Sequence, residues 1–376
     1  MGSKQGYGDV LCVVGARPNF MKIAPIMRAF AKSSVAPTAR LLHTGQHYDA
    51  TMKHAFFEQL HIPEPDIDLE VGSGSHAEQT AEIMKRFEPV LDASPPAAVL
   101  VVGDVNSTIA CALVAVKKNI PVIHVEAGLR SGDRSMPEEI NRLLTDQLSE
   151  LLFTTESSAL QNLQREGIAE EKVHFVGNVM IDTLLYNLPD SVPSSETLKA
   201  VELVPSDGQY GLLTLHRPSN VDDPRVLERL LRPLCDISEQ TPLVFPIHPR
   251  TRARIDDAGL SGYLDGSGIH TTSPLGYLEM LGLMRDARLV LTDSGGIQEE
   301  TTALGVPCVT LRENTERPIT VSQGTNTVVG TDPLAIMDCY RDIIQNGGKR
   351  GRIPERWDGA TAERVVETVD SWLRGR

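Results

Sequence analysis

Asp104, Glu126 and Glu138 lie in one stretch of the chain, residues 99–142, reading VLVVGDVNSTIACALVAVKKNIPVIHVEAGLRSGDRSMPEEINR. Asp104 follows an apolar run that closes on Gly103, and Glu126 follows a second that closes on His124-Val125. Glu138 stands behind Pro137, a residue suited to the first helical position. Carboxylates held in different surroundings can serve as acid and base on opposite faces of a substrate. In an open α/β sheet the ligand binds outside the carboxyl ends of the strands, so these three groups could converge on one cleft. Taken alone, Glu138 and Arg142 read as an exposed i,i+4 ion pair of little energetic worth. The apolar stripe of the same helix, Ile140, Leu143, Leu144, Leu148 and Leu151, is expected to face the core.

Two turns have the composition of phosphate sites. After the first apolar run comes Gly15-Ala16-Arg17-Pro18-Asn19-Phe20-Met21-Lys22, where glycine permits a turn and a helix N-terminus offers free amides to an anion. Arg17 and Lys22 would add two cations there. The second is Asp293-Ser294-Gly295-Gly296-Ile297-Gln298-Glu299-Glu300. Ser294 can cap the helix, Gly295 and Gly296 let the backbone approach a diphosphate, and Glu300 could accept hydrogen bonds from ribose hydroxyls. No Gly-Lys-Ser/Thr follows, so it is not a Walker motif. The loop Arg312-Glu313-Asn314-Thr315-Glu316-Arg317-Pro318 either swings Arg317 toward the same diphosphate or is a solvated loop with local ion pairs. His47, in Thr44-Gly45-Gln46-His47-Tyr48, is a ligand contact or a hydrogen-bonded surface histidine.

The elements that must carry these residues alternate strand and helix, the pattern of parallel sheets. Strands are expected at 10–14, 40–43, up to Gly103, up to Glu126, 151–155 and 173–176, with a helix at 76–91. Residues 187–205, with Pro189, Pro193 and Pro205, read as a linker. A second series follows: 210–215 ending in His216-Arg217-Pro218, 242–247 ending in His248-Pro249-Arg250, and 287–291 ending in the serine-glycine turn, whose helix Gly305 would close. The expected domains are 9–186 and 206–358, with a final helix at 360–373 that packs back on the first.

Composition narrows the function. The chain has 376 residues, 41% hydrophobic and 23% charged, enough for two domains with proper cores. A formal net charge of −14 leaves no broad basic surface for nucleic acid. Five cysteines, Cys12, Cys111, Cys235, Cys308 and Cys339, are scattered among apolar residues without zinc spacing, as in a reduced cytoplasmic protein. No export signal opens the chain and no run of about 18 apolar residues offers a membrane span.

The motifs Gly15-Ala16-Arg17-Pro18, Thr44-Gly45-Gln46-His47, Gly103-Asp104, His124-Val125-Glu126-Ala127-Gly128-Leu129-Arg130, Pro137-Glu138-Glu139, Leu215-His216-Arg217, Asp293-Ser294-Gly295-Gly296 and Thr315-Glu316-Arg317-Pro318 together resemble the non-hydrolysing UDP-N-acetylglucosamine 2-epimerases, in order and over almost the whole chain. The resemblance implies an α/β fold of two Rossmann-like domains of the glycosyltransferase-B type, with the active site in an interdomain cleft. It implies interconversion of UDP-N-acetylglucosamine and UDP-N-acetylmannosamine, a homodimer, and no metal or redox cofactor. Residue by residue it makes Asp104, Glu126, Glu138 and His216 the catalytic group. Arg17, Lys22, Arg142, Ser294, Gly295, Gly296, Glu300 and Arg317 become binding or orienting residues.

One departure stands out. Many bacterial members follow the counterpart of His216-Arg217 with Arg-Glu-Asn, tied to a second, activating UDP-N-acetylglucosamine; here Pro218-Ser219-Asn220 stands instead. Activation is expected to be altered or absent, with Gln46 and His47 bordering such a pocket. Three other activities fit parts of the pattern. A hydrolysing relative releasing N-acetylmannosamine and UDP would share nearly every motif. A glycosyltransferase needs fewer carboxylates, and a non-catalytic sugar-nucleotide binder needs none of the acid/base set. A nicotinamide enzyme is disfavoured, because no Gly-x-Gly-x-x-Gly follows the first strand.

Overall fold

The computed structural model describes residues 8–45, 59–204 and 209–376. The chain forms two compact units, residues 1–186 with 355–376, and residues 187–354. Each is built on a parallel sheet.

In the first unit the strands are β1 (Val10–Val14), β2 (Ala39–His43), β3 (Ile67–Asp68), β4 (Ala98–Val102), β5 (Val122–Ala127), β6 (Leu151–Thr154) and β7 (Val173–Phe175), in spatial order β3-β2-β1-β4-β5-β6-β7. Every residue of β1, β4, β5 and β6 is buried, as expected for strands covered on both faces. The chain runs outward from β1 on one side and from β4 on the other, so the topological switch point lies between them. Gly15 and Gly103-Asp104 follow those two strands.

Four helices matter to the site: α1 (Arg17–Lys32), α2 (His76–Ala93), α3 (Asn106–Lys117) and α4 (Pro137–Leu148). A capping box between Ser75 and Glu78 starts α2. The final helix, Thr361–Arg374, packs against α1 and buries Val365, Val366, Val369 and Leu373, each worth about 1.5–3 kcal/mol of apolar transfer. Its first amides, on Thr361 and Ala362, donate to the Asp182 carboxylate.

α4 corrects one expectation. Ile140 and Leu144 are 38% and 50% exposed, whereas Glu139, Arg142, Thr145 and Asp146 are buried. The helix turns its polar face inward because it covers the carboxyl edge of the sheet, where charged groups need partners, and only its end, at Leu148, packs on the apolar layer.

The second unit has β8 (Gly211–Thr214), β9 (Leu243–Pro246), β10 (Ile269–Thr272), β11 (Leu289–Thr292), β12 (Cys308–Thr310) and β13 (Asn326–Val328), in order β10-β9-β8-β11-β12-β13. Its switch point lies between β8 and β11, the strands that precede His216 and Asp293. Leu213, Leu234, Phe245, Leu291 and Tyr340 belong to its core. Helices α5 (Tyr277–Asp286) and α6 (Gly295–Leu304) follow β10 and β11, and Gly305 closes α6 in the left-handed conformation at φ 73°. The strands β3, β10, β12 and β13, of two to four residues, are additional to those read from the sequence. The stretch read as a linker contains a helix, Ser194–Lys199, tied by Ser194 Oγ to Asp286.

Candidate active site

In the first unit the site grows from two adjacent strand ends. β4 and β5 pair Val102 with Val125, so Asp104 and Glu126 leave the sheet side by side. Gly103 turns at φ 66°, and a Cβ there would come within 2.8 Å of Lys22 Nζ. Lys22, from the second turn of α1, lies beneath that turn and places Nζ 2.7 Å from Glu126 Oε1; both side chains are buried. Glu126 has φ 74°, at the point where the β5–β6 register shifts. A non-glycine residue in the left-handed region costs of order 1–3 kcal/mol and recurs at working sites.

Asp104 accepts a hydrogen bond from Arg142 Nη1, and Asn141 Nδ2 donates to the Asp104 carbonyl at 2.9 Å. Arg142 is 3% exposed and also donates from Nη2 to Glu139 Oε2 at 2.8 Å. Glu139 is thus the partner of Arg142, and the expected exposed pair with Glu138 is replaced. The reason is helix rotation, which buries positions 139, 142 and 146 together. Backbone amides of Ser131 and Gly132 donate to Glu139, each at 3.0 Å. Burial pushes its carboxyl up, but those amides and Arg142 outweigh it and hold it below the ordinary value. Glu138 is half-buried and makes no side-chain hydrogen bond with the described residues.

The first turn is closely fitted: a Cβ on Gly15 would collide with Ser107 Oγ, itself 2.7 Å from Thr44 Oγ1. Asn19 accepts from the Ala16 amide and donates from Nδ2 to the Val102 carbonyl at 2.7 Å, tying α1 to the end of β4. Arg17 is the first residue of α1, and its side chain lies outside the described part. Gln46 and His47 also lie outside the described residues.

In the second unit Asp293, wholly buried at the end of β11, organises its neighbours. Its Oδ1 is 2.9 Å from His216 Nδ1, while Oδ2 accepts from the amides of His216 at 2.9 Å and Arg217 at 2.8 Å. Burial raises the Asp293 carboxyl, but His216 and these amides hold it below the usual carboxylate range. His216 is half-exposed, so its other ring nitrogen is directed by a fixed anion behind it. Ser294 occupies the N-cap position of α6 without a side-chain cap hydrogen bond, so the expected capping role is corrected. Its amide donates to Thr292 Oγ1 at 3.0 Å instead.

Gly295 is needed for packing: a Cβ would fall 2.5 Å from Glu316 Oε1. Arg312, Glu316 and Arg317 are 6%, 5% and 6% exposed, so the solvated-loop alternative does not hold. Arg312 Nη2 lies 2.8 Å from Glu316 Oε2, and Arg317 Nε lies 2.9 Å from Glu299 Oε1. Burial opposes ionisation of Glu316, but Arg317, Arg312 and Arg217 pull its carboxyl far below the ordinary range. Glu300 accepts from Tyr277 Oη at 2.9 Å; burial and then Glu300 push the Tyr277 phenol well above its normal value.

The structure thus brings together Lys22, Asp104, Glu126 and Arg142 in one unit, and His216 with the Ser294–Gly296 turn in the other. Sequence reasoning missed Glu139, Tyr277 and the organising role of Asp293. The available signal was the position of Asp293 immediately after an apolar strand, but its pairing with His216 depends on β8 and β11 being neighbours.

Among the described residues no group of three or more His, Cys, Asp and Glu side chains is arranged to hold a metal, and no helix is long and apolar enough to cross a membrane. Residues 31–370 match the family model for UDP-N-acetylglucosamine 2-epimerase. A UDP-N-acetylglucosamine 2-epimerase of Methanocaldococcus jannaschii is 43% identical over 360 residues, 95% of this chain and 97% of the relative. A UDP-2,3-diacetamido-2,3-dideoxy-D-glucuronate 2-epimerase of Pseudomonas aeruginosa is 42% identical over 338 residues, 89% of this chain and 92% of the relative. The crystal structure of the M. jannaschii UDP-GlcNAc 2-epimerase in complex with UDP-GlcNAc and UDP is similar with a TM-score of 0.87 and 42% identity, over 96% of this chain and 99% of that one.

Proposed function

The chain belongs to the UDP-N-acetylglucosamine 2-epimerase family, and from that premise we propose that it interconverts UDP-N-acetylglucosamine and UDP-N-acetylmannosamine by loss and return of UDP. The observation that carries this reading is the pair of carboxylates on adjacent strand ends, Asp104 against Arg142 and Glu126 against Lys22.

The C2 proton of the sugar is not beside a carbonyl, and its direct removal would leave an unstabilised carbanion. In the proposed reaction the C1–O bond breaks first and its electron pair leaves with UDP. C1 becomes oxocarbenium-like, a carboxylate takes the now acidic C2 proton, and a C1–C2 double bond forms to give a glycal. Return of a proton to the opposite face of C2 and of UDP to C1 completes the inversion. Opposite faces call for two acid/base groups. Ion-paired Asp104 and Glu126 are proton acceptors, and the half-buried Glu138 is the remaining group able to act from another direction.

The second unit's residues hold UDP in this reading. His216, Arg317 and the amides at the start of α6, after Ser294 and at Gly295 and Gly296, stabilise the leaving diphosphate. Glu300, oriented by Tyr277, takes the ribose hydroxyls. Arg17 adds charge at the start of α1, and Lys22 acts on the reaction through Glu126. A homodimer in the cytoplasm completes the proposal.

Proton NMR of the protein with UDP-N-acetylglucosamine in D2O tests it. The expected product is UDP-N-acetylmannosamine deuterated at C2, with little free UDP. Accumulation of free UDP and N-acetylmannosamine would replace this outcome with the hydrolysing one. The Pseudomonas relative supports a second reading, in which the sugar is a 2,3-diacetamido glucuronate. Faster turnover of that UDP-sugar in the same assay would move the substrate assignment.

A further inference from the structure

We infer that His124 is a positioning residue for the carboxylates at the ends of β4 and β5, and that it works by donating from Nε2 to the Gly103 carbonyl while its Nδ1 is held against Asp146. The inference rests on the reading above, in which Asp104 and Glu126 act on the sugar.

His124 is fully buried in β5, two residues before Glu126. Its Nε2 lies 2.9 Å from the Gly103 carbonyl oxygen and its Nδ1 lies 2.6 Å from Asp146 Oδ1. A peptide carbonyl only accepts, so Nε2 carries a hydrogen. Asp146 is arranged as an acceptor throughout: its Oδ2 takes the Gly128 amide at 3.1 Å and Arg130 Nη2 at 2.6 Å. Burial pushes the Asp146 carboxyl up, but His124 and Arg130 outweigh it and keep it below the ordinary carboxylate range. The ring is thus clamped at both nitrogens, by the Gly103 carbonyl at Nε2 and by the Asp146 carboxyl group at Nδ1.

The surrounding charges hold Asp146 against the ring. Arg130 also binds Glu166, with Nη2 2.6 Å from Oε2 and Nε 2.8 Å from Oε1. Arg130 thus joins two carboxylates, Asp146 and Glu166, and every short contact in the cluster joins opposite charges or a donor to an acceptor. A buried charge persists only under such pairing.

The geometry gives the cluster a function. Gly103 immediately precedes Asp104, and its amide donates to the Val125 carbonyl at 3.1 Å. The Gly103 peptide is therefore held to β5 from both sides, by that amide and by the His124 ring. Through Asp146 the same ring fixes α4, whose Arg142, one turn earlier, holds Asp104. His124 thus sets the mutual placement of the β4 turn, the end of β5 and α4 without touching substrate.

Two measurements test this. In protein labelled with 15N-histidine, the His124 signals, assigned by their loss in His124→Gln, should report a hydrogen on Nε2. A bare Nε2 overturns the inference whatever the activity. Secondly, His124→Gln keeps an amide donor within reach of the Gly103 carbonyl, whereas His124→Asn keeps one only toward Asp146. We expect kcat to fall about 100-fold in the Asn variant and about tenfold in the Gln variant, with KM nearly unchanged, because misplacement of about 1 Å is felt in the chemistry. Equal losses in two folded variants, or a change confined to KM, would leave His124 a packing residue and sink the idea. If the wild-type protein turns over neither UDP-sugar, it is the functional reading that fails, and the nitrogen spectrum still decides the state of the ring.

Discussion

Lys22 Nζ lies 2.7 Å from Glu126 Oε1, joining the second turn of α1 to the end of β5 in a pair that is almost fully removed from solvent. Removing one member of such a pair takes a close counter-charge from the other in a site shielded from water. Lys22→Met is expected to destabilise the protein by about 3–5 kcal/mol. Adding Glu126→Gln should recover part of that loss, as urea melts of the single and double variants will read. A double variant no more stable than Lys22→Met would show that the pair is not coupled.

Glu126 itself sits at φ 74°. Glycine adopts that conformation freely and alanine does not. Glu126→Gly should therefore be more stable than Glu126→Ala by about 1 kcal/mol, reversing the usual order within a strand. Thermal melts of the two variants decide it.

Gly295→Ala places a methyl group 2.5 Å from Glu316 Oε1. The methyl must displace a carboxylate held by Arg312, so the expected cost is about 1–3 kcal/mol. If the start of α6 cradles diphosphate, UDP affinity measured by calorimetry should fall by about tenfold or more. Unchanged UDP affinity in the folded variant would move the diphosphate elsewhere.

The carboxyls of Glu139, Asp146 and Asp293 are all held below their ordinary values in the folded state. The unfolded chain then takes up protons first as pH drops. Their contribution to stability is complete above the ordinary carboxylate range of about 4 and is lost as pH falls through the lower folded values. The unfolding midpoint should be nearly flat from neutrality to about pH 5 and fall steeply below about pH 4. Asp146→Asn should be less stable at neutral pH and show a shallower acid limb. An acid limb as steep as the parent's would exclude Asp146 as a contributor.

Pro218 opens the short helix Pro218–Val221, and Asn220 Nδ2 donates to the Leu311 carbonyl at 2.9 Å. The segment offers neither the charge nor the amide that the resemblance ties to an activating second nucleotide sugar. With UDP-N-acetylmannosamine as sole substrate, the rate curve is expected to be hyperbolic. An absolute requirement for added UDP-N-acetylglucosamine would contradict this.

Much of the site was legible along the chain because its signals are local. An apolar run closing on Gly-Asp, or a strand followed by Ser-Gly-Gly, marks a carboxyl edge wherever the strand lies in the sheet. The first strand was read at its observed bounds, Val10–Val14, and Gly305 was read as the end of α6. Short strands such as β12 and β13 escaped, since three residues give too little alternation to separate them from loop.

The partners were a different matter. In α4 the stripe Ile140-Leu144 is as good an inward face by periodicity as 139-142-146, and helical spacing assigns no direction to either. Rotation was decided by what the helix meets: Asp104, His124 and the Ser131 and Gly132 amides, all polar and all presented by other elements. Likewise Asp293 and His216 are 77 positions apart, and only the pairing of β8 with β11 makes them neighbours. Residue types and strand-end motifs, which depend on neighbouring positions, were determined by the sequence read alone. Which cation faces which carboxylate followed from sheet register and helix rotation, because ion pairs form across elements at distances of a few ångströms that no local pattern encodes.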